Sequence, residues 1–155
     1  MKRAVESIIV LLLTLGLIGC TKFNGSSKAA DDEIKLLIHL DLKEDIGLLI
    51  LDINVNGVET TGGISTVDRT MLKQDELLYW SLYKREYENP EGMANVSIRF
   101  RIITEYCDPN YENEYPEELT VLLEPLLLSM DFGTDCHITI TGDHRNGYMA
   151  ILDQP

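Results

Sequence analysis

Alternation of apolar and polar side chains with a period of two constrains this chain more than any other feature. Ile34, Leu36, Ile38, Leu40 and Leu42 share one parity, and Lys35, His39 and Asp41 occupy the other. Successive side chains of a strand point to opposite faces, whereas a helix needs apolar residues three and four apart. The same period recurs in Leu49, Leu51, Ile53 and Val55, in Val96, Ile98, Phe100 and Ile102, and in Cys136, Ile138 and Ile140. Shorter strand signals lie at 77–82, 119–123 and 148–152, while 67–73 reads as a helical turn. A link over 43–47 and the Asn56-Gly57 pair bracket the second run with hairpin-like spacing. About seven strands divided by turn residues predict an all-β fold, a β-sandwich of immunoglobulin-like or related topology.

That pattern begins only at residue 33. Met1-Lys2-Arg3 is basic, and residues 7–18 form an uncharged run of about a dozen residues, short of the roughly 20 that a membrane-spanning helix needs. The run ends in Leu17-Ile18-Gly19-Cys20, which resembles the lipobox of bacterial lipoproteins, where a small residue precedes a cysteine that is acylated before cleavage. The resemblance covers only the first 20 residues, and Glu6 departs from its usual pattern. It implies a signal peptide over 1–19, a lipidated Cys20, and a product held on the extracytoplasmic side of a bacterial cell membrane or outer membrane. Residues 20–32 are small and polar and read as a flexible tether, leaving 33–155 as one domain.

Charge narrows the partners. The formal net charge is −13, and loss of a leader carrying Lys2, Arg3 and Glu6 takes it to −14. Phosphate backbones are repelled, so nucleic acid is excluded as a partner. Attachment to membrane rests on the anchor at Cys20, because acidic surfaces are not drawn to anionic headgroups.

Candidate sites are sparse. Asp52-Ile53-Asn54-Val55-Asn56-Gly57 matches the first half of a calcium loop, but Gly63 stands where the bidentate glutamate belongs. On a strand Asp52 and Asn56 would also stand about 13 Å apart, too far to share an ion. Asp108, Glu112, Glu114, Glu117 and Glu118 crowd one loop with Tyr106, Tyr111 and Tyr115, a candidate cation site or a solvated loop packed down by its tyrosines. Cys107 and Cys136 form an even pair once Cys20 is lipidated; a disulfide is the economical reading, and two buried thiols the other. Zinc held by Cys107, Cys136, His137 and His144 fits no compact ligand spacing. No nucleophile elbow or cofactor motif is present, so a non-enzymatic role is expected. The expectation is an envelope binding or accessory module for a protein, glycan or cation, with a structural or assembly lipoprotein as the alternative and a small hydrolase behind both.

Overall fold

The computed structural model describes residues 28–87, 93–107 and 115–153. Among these, nine strands form: β1 (Glu33–Leu42), β2 (Leu48–Val55), β3 (Val58–Ile64), β4 (Leu77–Tyr83), β5 (Ala94–Ile103), β6 (Thr120–Leu122), β7 (Leu126–Met130), β8 (Thr134–Asp143) and β9 (Gly147–Leu152). They make a four-stranded sheet ordered β4-β1-β8-β9 and a five-stranded sheet ordered β3-β2-β5-β6, with β7 also pairing with β5. The all-β sandwich expected from the alternation is the fold observed. None of the described helices is long and apolar enough to cross a membrane.

The alternation decides which side of each strand faces the partner sheet. Ile34, Leu36, Ile38 and Leu40 of β1 join Ile138 and Ile140 of β8 on one inner face. Leu49, Leu51 and Ile53 of β2 meet them from the other sheet, with Ile98, Phe100 and Ile102 of β5. Almost all are fully excluded from solvent. The two inner faces close on one another where Trp80 of β4 lies over Gly62 of β3, so closely that a Cβ at Gly62 would fall 2.1 Å from the indole ring.

Two connections differ from the sequence reading. The link over 43–47 carries the chain from one sheet to the other, and the hairpin is made instead by Asn56 and Gly57 between β2 and β3. Both turn residues take positive φ, 51° and 94°, which matches the twist of a two-residue hairpin. Residues 67–73 are not helical. Arg69 has φ 61°, which a right-handed helix does not admit, and its N–H instead bonds the Thr66 carbonyl at 3.3 Å. Leu72 then bridges Ile46 and seals the end of the core.

β1 is central in its sheet, antiparallel to β4 and parallel to β8. A parallel neighbour needs a long crossover, and here strands β2 to β7 lie between β1 and β8.

Candidate functional site

The outer face of the five-stranded sheet is built from the polar residues of the same alternation. β2 contributes Asp52 and Asn54, β3 contributes Glu59 and Thr61, and β5 contributes Ser97, Arg99 and Arg101. Register places Arg99 directly across from Asp52, yet the ion pair forms diagonally with Arg101. Arg101 Nη2 donates to Asp52 Oδ1 at 2.9 Å, Arg101 Nε stands 2.8 Å from Oδ2, and Thr61 Oγ1 also donates to Oδ1 at 2.9 Å. Desolvation explains the choice. Arg101 is partly covered near Tyr115, whereas Arg99 is exposed, and a shielded guanidinium gains more from a carboxylate partner.

The Arg99 side chain makes no ion pair or hydrogen bond among the described residues and lines a cavity of about 440 Å³ with Asp52, Asn54, Glu59, Thr61 and Ser97. A second hollow of about 380 Å³ continues from Asn54 and Ser97 to Ser129 and Leu127, whose side chain is 77% exposed. Together they form a polar trough across β3, β2, β5 and β7 with an apolar wall at one end. Its two carboxylates, Asp52 and Glu59, are balanced in number by two guanidinium groups, Arg99 and Arg101.

At the other end of this face Leu48, Ile50 and Ile103 are buried beneath Tyr106, Cys107, Tyr115 and Leu119. Tyr106 and Tyr115, the tyrosines of this stretch that fall in the described residues, therefore pack onto the sheet, and burial pushes the Tyr115 phenol up. Asp108, Glu112 and Glu114 lie outside the described residues. Glu117 and Glu118 sit on a short 3-10 helix, Glu117–Leu119. Among the described residues no three His, Cys, Asp or Glu side chains are grouped to hold a metal ion. Cys20 also lies outside the described residues.

The half-match to a calcium loop is resolved into separate duties. Asp52 serves Arg101 and Thr61, Asn54 Oδ1 accepts the Gly57 N–H at 2.9 Å, and Asn56 Oδ1 accepts the Asn95 N–H at 2.9 Å. These three side chains secure a strand and its turn.

The disulfide expected between Cys107 and Cys136 is not formed. Cys136 belongs to the core between the sheets and Cys107 to the cluster on the outer side of the five-stranded sheet, so a sheet stands between them. Burial, the larger cause, and Asp153 push the Cys136 thiol up to about 11. The zinc quartet is not assembled either: His137 faces outward where Cys136 faces inward, and His144 Nδ1 leans on Glu44 Oε2 at 3.6 Å. A protonated, buried thiol is a poor nucleophile. Iodoacetamide should therefore label Cys136 only after unfolding, and reduction should leave the native mass unchanged; a native mass lower by two hydrogens would restore the disulfide.

Comparison with protein-family models, curated proteins and solved structures finds no match.

Alternation alone marks Asp52, Asn54, Ser97 and Arg99 as outward-facing. The convergence of Glu59 and Thr61 with them depends on β3, which carries almost no apolar signal, and on a register that only the assembled sheet defines.

Proposed function

We propose that this chain is a cell-envelope lipoprotein, anchored through Cys20, that binds a polyhydroxylated ligand of the glycan class in the trough of its five-stranded sheet. The trough carries this reading. It offers carboxylate, amide, hydroxyl and guanidinium groups within one hollow, with Leu127 for the apolar face of a sugar ring. Its charges cancel within a strongly acidic protein, which suits a neutral or zwitterionic glycan better than a polyanion or polycation. The leader supports the anchor: a basic start, an uncharged run too short to span, and a lipobox-like cysteine.

Among the described residues the buried core runs from Ala29 to Ile140, with Tyr148 and Ala150 packed against it, so a chain starting at Thr21 retains every one of these groups. Co-sedimentation of that chain with insoluble cell-wall polysaccharide tests the reading. Arg99→Ala removes a charged donor that holds nothing else in place, and hydrogen bonds to charged groups are worth about 1.5–3 kcal/mol, so binding should weaken about 10- to 100-fold. The melting temperature should not change. Equal binding by both proteins, or none by the parent, would contradict the trough as the site.

A further inference from the structure

β9 is an edge strand, and the hydrogen bonds of its other side show which of its groups remain open. The Asp153 N–H donates to the His137 carbonyl at 2.9 Å, continuing a register in which Ile138 faces Leu152 and Ile140 faces Ala150. In an antiparallel ladder hydrogen-bonded pairs alternate with non-bonded ones. His137 with Asp153, Thr139 with Ile151 and Thr141 with Met149 are therefore the bonded pairs. The backbone N–H and C=O of Tyr148, Ala150 and Leu152 point away from β8, and they have no partner among the described residues.

This edge lacks the devices that keep sheets from pairing. Gly147–Leu152 carries no Lys, Arg, Asp, Glu or Pro in a chain of net charge −13. Met149 is 56% exposed, Ile151 41% and Leu152 42%. Charges appear only where the strand ends. Arg145 stands on the turn before it, exposed, with a guanidinium that makes no ion pair, and Asp153 follows it. The turn is fixed by Asp143, whose carboxylate accepts the backbone N–H groups of Arg145 and Asn146 at 2.9 and 2.8 Å.

We propose that the chain pairs with a second copy of itself through antiparallel β9 strands, about a two-fold axis at Ala150, joining two four-stranded sheets into one of eight strands. Three features of the edge are self-complementary in this register. Ala150 faces Ala150 of the second copy and Tyr148 faces Leu152, so every open backbone group finds a partner in six hydrogen bonds. Met149 lies beside Ile151 of the second copy on the outer face, twice, as apolar cross-strand pairs. Gly147 falls opposite Asp153, which brings the Arg145 turn of each copy to the Asp153 carboxylate of the other. A one-residue slip would set open groups against closed ones and lose the ladder. The net charge of each copy opposes association, so the contact is confined to the uncharged strand and its two complementary ends.

Sedimentation equilibrium of the chain starting at Thr21, from micromolar to submillimolar concentration, tests this. The parent should reach twice the monomer mass. Ala150→Pro removes an N–H that β8 does not use, which an edge strand tolerates, and Ile151→Lys places a charge in the apolar pair. Each should weaken association about tenfold or more, with monomer melting held near the parent's. Arg145→Glu should weaken it by a similar factor, and the double reversal Arg145→Glu with Asp153→Arg should recover most of the loss. The pairing is overturned by a parent that stays monomeric throughout, by a dimer indifferent to Ala150→Pro and Ile151→Lys, or by a double reversal no better than Arg145→Glu alone.

Discussion

Phe100→Ala should destabilise the domain by about 4 kcal/mol, because truncating a buried phenylalanine removes both its transfer free energy and the packing around it. Phe100 lies mid-strand in β5, opposite Leu51 of β2, and is fully excluded from solvent. Domains of this size are stable by only about 5–15 kcal/mol, so the change is a large share of the total. At about 3–5 °C per kcal/mol, melting should fall by roughly 12–20 °C. Leu127→Ala provides the contrast. Leu127 is also apolar and also pairs with β5, but its side chain points outward, so its removal should change stability by no more than about 0.5 kcal/mol. Urea unfolding of both variants decides the matter: equal effects would mean that the alternation has been assigned to the wrong faces.

The strands most legible in the sequence are those with one buried and one largely solvated face. β1, β5 and β8 are such strands, and their parity identified the core residues directly. β3 and β7 were not legible, for opposite reasons. Val-Glu-Thr-Thr-Gly-Gly-Ile carries too little apolar signal because β3 is a sheet edge whose inner positions include Gly62, kept small by Trp80. Leu-Leu-Leu-Ser-Met in β7 is apolar on both parities because Leu126 and Leu128 face the core while Leu127 stands in solvent. Sheet membership was hidden as well. Nothing local tells β1 that its neighbours are β4 and, in parallel, β8. The trough inherits that limit, since its residues come from separate strands whose register is a tertiary property. The disulfide reading failed for the same reason: two cysteines in an even pair say nothing about the sheet between them.

Cys20→Ala should block normal processing and abolish acyl-dependent membrane retention. The uncharged run over residues 7–18 is about eight residues short of a spanning helix, and the acidic domain gains nothing from anionic headgroups. On the anchored reading proposed above, membrane residence falls to acyl chains on Cys20, each buried methylene contributing about 0.8 kcal/mol, and stable attachment takes more than one chain. Without the thiol there is no point of acylation. Fractionation should find the variant in the soluble phase or as the uncleaved precursor, while Arg99→Ala and Ala150→Pro stay in the membrane pellet with the parent.

The most direct test is the intact mass of the native protein extracted from its own membrane in detergent. A polypeptide beginning at Cys20 and carrying a diacylglyceryl group on that residue is the expected product. A polypeptide that retains residues 1–19, or one that begins at Cys20 with an unmodified thiol, would contradict the anchored module proposed here.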